Sequence, residues 1–188
     1  MLTRTATLDL STLRDTAVRM FDEVRKLTFD GVGVTRESYG RGETAAADFL
    51  RELAQAEGLK VETDRAANLV FSLPDDGGEA PAVWSGSHLD SVPQGGNFDG
   101  LAGIVAGLLC LIARRRQGTP QGPPLRVIAF RGEESAWFGK AYMGSGSLFG
   151  KVSPEDLELK QRNSGLTLAE SMRGVGADID AIRARTPL

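Results

Sequence analysis

The chain has 188 residues, of which 41% are hydrophobic and 25% are charged. This length and composition are typical of one globular domain and exclude a disordered or fibrous protein. The net charge of −3 excludes the basic surface of a nucleic-acid-binding protein, and a single cysteine excludes a disulfide framework. The longest apolar stretch, from Leu101 to Ile112, is shorter than the roughly 20 residues that span a bilayer. With no hydrophobic block at the N-terminus, we expect a cytoplasmic protein that does not bind membranes.

The first part of the chain predicts two amphipathic helices followed by a β-hairpin. In chain order the predicted elements are a helix over 13–27, a helix over about 43–57, a strand over 59–63 and a strand over 68–73. Either Asp9 or Ser11 can cap the first helix. Gly58 stands where a left-handed residue would end the second helix.

The middle of the chain predicts a strand–helix–strand crossover. Residues 82–87 and 125–130 are expected to form buried strands. Residues 101–116 are apolar on nearly all sides and predict a buried helix, with Cys110 in the core. Crossovers of this kind almost always join parallel strands, so the sequence predicts an α/β fold. Shorter helices are expected over 143–149, 167–173 and 177–185.

Chemically useful side chains follow both strands of the predicted crossover. His88, the single histidine of the chain, and Asp90 follow the first strand, and Asp99 precedes the helix. Glu133 and Glu134 follow the second strand. Ligands of parallel sheets bind outside the carboxyl ends of the strands, and a mixed histidine and carboxylate set suits zinc or a similar divalent ion.

The pattern also predicts a division of roles within this set. Asp90 can hold the imidazole of His88 through its second nitrogen, as an outer-shell partner of the metal centre. Of the adjacent glutamates, one can bind metal while the other takes a proton from water. That combination is metal-assisted hydrolysis.

Each of these residues also has an ordinary structural explanation. A lone histidine after a strand is most often a loop or core residue, Asp99 is by default a helix N-cap, and a Glu-Glu pair in a loop is usually solvated. The glycine-rich run over 95–100 favours a functional interpretation, because glycines are costly to order. A magnesium phosphoesterase would use the carboxylates but would leave His88 unexplained.

Several segments resemble a known family. Residues 85–100, which include Ser-His-Leu-Asp and Gly-Gly-Asn-Phe-Asp-Gly, and residues 132–139, Gly-Glu-Glu-Ser-Ala-Trp-Phe-Gly, resemble the zinc amidohydrolases of the N-carbamoyl-L-amino-acid hydrolase and allantoate amidohydrolase group. These enzymes are related to the aminoacylase and acetylornithine deacetylase metallopeptidases. Gly33-Val-Thr-Arg and Asp64-x-x-x-Asn-Leu are similar to the N-terminal region of the family. The resemblance implies that residues 1–188 form the N-terminal part of a catalytic domain, a partial three-layer sandwich around a mixed, mostly parallel sheet.

The resemblance implies specific roles for the candidate residues. His88 would bind one metal, Asp99 would bridge two metals and Glu134 would bind the second. Glu133 would be the general acid/base. The implied cofactor is a pair of Zn²⁺ ions, with Mn²⁺, Co²⁺ or Ni²⁺ as alternatives. The implied substrate is an N-carbamoyl amino acid or a ureido acid, cleaved at a carbon–nitrogen bond that is not a peptide bond. The family also implies a cis peptide bond between Asp99 and Gly100.

The chain departs from the family in two respects. Members of the family supply two further histidines and carry a lid domain through which they form homodimers, whereas this chain has one histidine and is expected to lack the lid. We therefore expect an incomplete hydrolase that is weakly active or inactive alone. The alternative is a catalytically incompetent remnant or an interaction module of the same fold.

Overall fold

The computed structural model describes residues 9–74, 81–118 and 122–185. In these residues the chain forms, in order, α1 (Leu10–Thr28), α2 (Arg41–Ala56), β1 (Lys60–Thr63), β2 (Leu69–Ser72), β3 (Val83–His88), α3 (Leu101–Arg116), β4 (Leu125–Phe130), α4 (Met143–Leu148), α5 (Pro154–Leu157), α6 (Leu168–Gly174) and α7 (Ile179–Arg183). Of these, α5 was not expected from the sequence. It begins with a capping box formed by Ser153 and Asp156.

The sheet is mixed and contains four strands in the order β1-β2-β4-β3 among the described residues. The predicted hairpin pairs β1 with β2 antiparallel, and β2 pairs antiparallel with β4. The predicted crossover is confirmed, since β3 and β4 are parallel neighbours that pair from Val83 and Leu125 to His88 and Phe130. The α/β class with a mixed sheet is therefore confirmed. Within the described residues two of the three strand pairings are antiparallel, and the parallel pairing of β3 with β4 lies beside the candidate site.

The first three helices cover one face of this sheet. Alternate residues of β2 and β4 point into a core shared with α1, α2 and α3; they are Leu69, Phe71, Val127 and Ala129. Helix α3 approaches β4 closely at Gly107, where an added Cβ would lie 2.7 Å from Val127 Cγ1. The N-terminus of α1 is capped by Asp9, whose side chain accepts from the backbone N–H of Ser11. This packing holds α3 against the sheet, next to β3.

A second buried cluster lies around the short C-terminal helices. It combines residues of the loop after β4 with residues of α4 to α7, including Trp137, Phe138, Met143, Leu157 and Leu168. The indole of Trp137 also donates a hydrogen bond to the backbone oxygen of Ser91 at 2.8 Å. This cluster therefore supports both loops that carry the candidate residues.

Two predictions of burial were wrong. Strand β3 lies at the edge of the described sheet, with Val83 and Trp84 53% and 56% exposed. Cys110 is exposed, because α3 places its larger apolar side chains on the core and its small ones, Ala102 and Ala106, on the open side. Composition predicted a helix buried all round, but one face has no covering layer in the described residues. No helix of this described part is long and apolar enough to traverse a bilayer.

Candidate metal centre

The ends of β3 and β4 bring three potential metal ligands together. His88 is the last residue of β3, Glu134 lies in the loop after β4, and Asp99 lies just before α3. The Nε2 atom of His88 is 3.7 Å from Asp99 Oδ1 and 3.9 Å from Glu134 Oε1. One ligand atom from each of the three residues lies within 4.8 Å of those of the others.

This arrangement fits a divalent cation. Bonds of about 2.0–2.2 Å to a tetrahedral zinc ion place neighbouring ligand atoms roughly 3.3–3.6 Å apart. The 3.7 Å between His88 Nε2 and Asp99 Oδ1, the pair expected to share one ion, exceeds that range only slightly. Of the three side chains, that of Asp99 has the most freedom to move toward an ion, because it is 63% exposed. Those of His88 and Glu134 are 20% and 24% exposed. One imidazole nitrogen and two carboxylates form a donor set that suits Zn²⁺.

The imidazole of His88 is oriented by Asp90, as predicted. Nδ1 lies 3.0 Å from the backbone oxygen of Asp90 and 3.4 Å from its Oδ1. The hydrogen bond that the imidazole donates to the carboxylate of Asp90 raises the pKa of His88 against the opposing effect of burial. Nε2 is left facing Asp99 and Glu134, which is the orientation that a ligand nitrogen requires.

Asp90 makes hydrogen bonds that the sequence did not predict. Its buried carboxylate accepts hydrogen bonds from the backbone N–H groups of Glu133 and Glu134, both at 3.0 Å. It also accepts one from the hydroxyl of Ser38 at 2.7 Å. Burial disfavours the charged carboxylate, but the hydrogen bonds from His88 and Ser38 lower its pKa below the ordinary value. Asp90 therefore joins the end of β3 to the loop that carries both glutamates.

The two adjacent glutamates face different partners. Glu133 lies outside the three-residue ligand cluster, and its carboxylate accepts hydrogen bonds from the backbone N–H and the hydroxyl of Ser145 at 2.7 and 2.6 Å. Burial raises the pKa of Glu133, and the bonds from Ser145 oppose that increase. Burial also raises the pKa of Glu134. Glu134 lies in the cluster and Glu133 lies outside it, while the roles expected for the two glutamates stay a prediction.

Buried polar side chains support the loop before these glutamates. Glu43 of α2 accepts hydrogen bonds from Arg131 Nε at 2.6 Å and from the N–H of Gly132 at 2.8 Å. Burial raises the pKa of Glu43 to about 7, although Arg131 opposes this. Asn68 accepts from the N–H of Arg131 at 2.9 Å and donates to the backbone oxygen of Gly144 at 3.3 Å.

These supporting residues had few signals in the sequence. Asn68 is part of the Asp64-x-x-x-Asn-Leu segment, which carried a resemblance but no assigned role. Asp64 explains the spacing, since its carboxylate accepts from both the backbone and the side-chain nitrogen of Asn68. Glu43, Ser38 and Ser145 had no signal beyond being polar.

The structure excludes the ordinary explanation of Asp99 as a helix N-cap, and the expected cis peptide bond after it was wrong. The N-cap of α3 is Gly100, with φ 66°, and Asp99 does not cap the helix; its backbone oxygen accepts from the N–H of Leu101 at 2.7 Å. The peptide bond between Asp99 and Gly100 is trans. A trans bond avoids the roughly 3 kcal/mol of a non-proline cis bond, and the left-handed Gly100 makes the turn into α3.

Known proteins are similar to this chain in sequence and in fold. An N-carbamoyl-L-amino acid amidohydrolase from Geobacillus stearothermophilus is 38% identical over 157 residues, which cover 82% of this chain and 38% of the relative. The chain is homologous to the N-terminal part of these amidohydrolases. Allantoate deiminase 1 from Glycine max is 30% identical over 152 residues, which cover 80% of this chain and 32% of the relative. No protein-family model matches the chain.

A solved structure supports the same relationship. A hydantoinase/carbamoylase family amidase from Burkholderia vietnamiensis superimposes with a TM-score of 0.75 and 30% sequence identity. The match covers 93% of this chain and 42% of that structure. The chain therefore spans less than half the length of the amidohydrolases to which it is homologous.

Proposed function

We propose that this chain supplies the metal-binding and proton-transferring part of an amidohydrolase that cleaves a carbon–nitrogen bond of an N-carbamoyl amino acid or a ureido acid. The observation that carries the proposal is the cluster of His88, Asp99 and Glu134, with Glu133 next to it but held apart by Ser145. The names of the homologous carbamoyl-amino-acid amidohydrolase and allantoate deiminase support the substrate class.

The residues of the cluster would hold the metal. His88 through Nε2 and Asp99 would bind one ion, and Asp99 and Glu134 would bind a second, with Asp99 as the bridge. A bound Zn²⁺ ion, or Mn²⁺, Co²⁺ or Ni²⁺ in its place, acidifies water and polarises a carbonyl oxygen. Asp90 would keep Nδ1 of His88 engaged, so that Nε2 stays available.

Glu133 would move the proton. In hydrolysis, water adds its oxygen to the carbonyl carbon and gives up a proton, and the carbon–nitrogen bond breaks as the nitrogen gains one. Glu133 would accept the proton from water at its carboxylate and pass it to the departing nitrogen. The partial burial that raises its pKa makes it a better proton acceptor than an exposed glutamate.

We further propose that the chain by itself binds metal weakly and is weakly active or inactive. The family resemblance implies two additional histidine ligands and a dimer-forming lid, and this chain has one histidine. Loss of even an outer-shell partner commonly lowers metal affinity about 10- to 100-fold, so missing direct ligands should lower it at least as much. A remnant or interaction module of the same fold would bind no metal at the cluster.

Metal titration of the purified chain tests the proposal. Metal-free chain is titrated with Co²⁺ in competition with a chromophoric chelator, alongside His88→Ala. We expect binding that the substitution abolishes. Absence of Co²⁺ and Zn²⁺ binding, or equal binding by His88→Ala, would contradict the proposed centre and favour the remnant.

An ammonia-release assay with N-carbamoyl amino acids and allantoate tests the chemistry. We expect slow or undetectable release by the unaltered chain, and none by Glu133→Gln. Rapid release that Glu133→Gln abolishes would support the hydrolase and overturn the proposal that the chain is incomplete.

A further inference from the structure

A fully buried arginine lies directly behind the candidate metal centre. The side chain of Arg36 has no exposed surface. Its Nε donates a hydrogen bond to the backbone oxygen of Leu89 at 2.6 Å, and its Nη2 donates to the backbone oxygen of Asp99 at 3.1 Å. Its Nη1 has no hydrogen-bond partner within the part of the chain that the structure describes, so the two carbonyl oxygens are what hold the guanidinium.

These two acceptors are the two ends of one loop. Leu89 follows the ligand His88, and Asp99 is itself a ligand candidate, so residues 89–99 connect the two. The loop has no helix or strand of its own, and a single guanidinium spans it. The separation of His88 and Asp99 is therefore set in part by the distance between Nε and Nη2 of one rigid group.

The backbone of Arg36 is anchored to the same loop. Its N–H donates to Ser91 Oγ at 3.0 Å, and its carbonyl oxygen accepts from the N–H of Ser91 at 3.0 Å. Two residues earlier, Val34 forms an antiparallel bridge with Gly95. The strand-like segment that carries Arg36 thus runs along the loop, which leaves the guanidinium little freedom to move away.

The chemistry of the contact requires arginine. Guanidinium presents its donors in a planar fork, whereas the ammonium of lysine is a single point donor on a flexible stem. Burial of a cation is costly, and here the carboxylates of Asp90, Asp99 and Glu43 are the nearby charges that compensate it. An apolar side chain could fill the same volume without that cost. The buried guanidinium is therefore better explained by its hydrogen bonds, which hold two backbone segments together.

We propose that Arg36 is a positioning residue that fixes the distance between His88 and Asp99 for metal binding. This inference rests on the proposed function and adds a residue to it. Arg36 would not touch metal or substrate. It would act through the backbone of the loop over 89–99.

The test compares Arg36→Lys and Arg36→Met with Arg116→Lys. Lysine keeps the charge but loses the planar fork of donors. Methionine keeps an unbranched apolar stem but loses every donor. Arg116 is a surface residue that pairs with Glu57. Circular dichroism and thermal melting check the fold of each variant. Two readouts follow: amide hydrogen exchange of residues 89–99 in metal-free protein, and Co²⁺ affinity.

We expect both Arg36 variants to keep their fold, to exchange faster over residues 89–99 but not in α1, and to bind Co²⁺ about 10- to 100-fold more weakly. Arg116→Lys should change neither readout. Unchanged exchange over 89–99, or loss of the whole fold in both variants, would overturn the positioning role. If the unaltered chain binds no Co²⁺, the proposed function fails, and the exchange measurement still decides the role of Arg36.

Discussion

Nδ1 of His88 lies 3.0 Å from the backbone oxygen of Asp90 and 3.4 Å from its carboxylate. The same carboxylate accepts hydrogen bonds from the backbone N–H groups of Glu133 and Glu134. One buried aspartate therefore orients the imidazole from β3 and positions the two glutamates that follow β4. This connection links the two loops that carry the candidate ligands.

The first prediction concerns Asp90→Asn. An amide has one acceptor oxygen, so at least one of the N–H groups that now bond to the carboxylate would lose its partner. We expect metal affinity to fall about 10- to 100-fold and the free energy of unfolding to fall by about 1–3 kcal/mol for the unpaired buried donor. Chelator competition and urea denaturation measure these changes. Asp22→Asn, on the exposed side of α1, is the control, and equal behaviour of the two variants would refute the role of Asp90.

The second prediction concerns Ser145→Ala. The hydroxyl of Ser145 donates to Glu133 and thereby lowers the pKa of that carboxyl against the effect of burial. Removal of the hydroxyl should raise the pKa of Glu133, which a pH titration of its carboxyl carbon by NMR would detect. Ser147→Ala is the matched control, because that hydroxyl donates to the backbone oxygen of Met143 at 2.7 Å and not to Glu133. A pKa that falls or stays constant in Ser145→Ala would contradict the prediction.

The third prediction concerns stability and pH. Glu43 has a folded pKa of about 7, above its ordinary 4.5, so its stabilising contribution is complete below pH 4.5 and is lost as the pH rises through about 7. The raised pKa of His88 acts in the same sense, with a contribution present below pH 6.5 and lost above its folded pKa. The free energy of unfolding of metal-free chain should therefore fall from about pH 5 to about pH 8, by at most about 1.4 kcal/mol per pH unit for each group.

Urea denaturation at a series of pH values measures this slope. Glu43→Gln removes one titrating group and should flatten the profile between pH 4.5 and about 7, whatever it does to the absolute stability. The exposed Glu52→Gln should leave the slope unchanged. Stability that rises over this window in the unaltered chain would show that the sign is wrong.

The fourth prediction concerns Gly100→Ala. Gly100 has φ 66°, and an added Cβ would lie 2.6 Å from Nδ1 and Cε1 of His88. Gly165 has φ 71° with nothing within 4 Å of an added Cβ, so Gly165→Ala reports the left-handed strain alone, about 1–2 kcal/mol. Gly100→Ala should cost about 1–3 kcal/mol more because of the overlap, and it alone should weaken Co²⁺ binding by displacing the imidazole. Equal stability loss in the two variants, with unchanged Co²⁺ affinity, would argue against a tightly held imidazole.

Much of the fold could be predicted from local patterns. The helix expected over 101–116 and the strand expected over 125–130 have those bounds in the structure, because apolar periodicity and chain-breaking residues act over a few positions. The convergence of His88, Asp99 and Glu134 also followed from the crossover, since parallel strands bring their carboxyl ends to one edge. The expectation that β3 and Cys110 are buried failed, because burial depends on which layers cover a surface, and composition does not report that.

The sequence by itself determined the elements other than α5, the parallel pairing of β3 with β4 and the edge at which the ligand candidates meet. Only the tertiary structure decided which side chains hold them there. Arg36 lies 53 residues before Leu89, and Ser38 lies 52 residues before Asp90. No periodicity links residues so far apart. The physical reason is that a buried donor or acceptor must find a partner wherever packing brings one within reach, so these contacts exist only once the chain has folded.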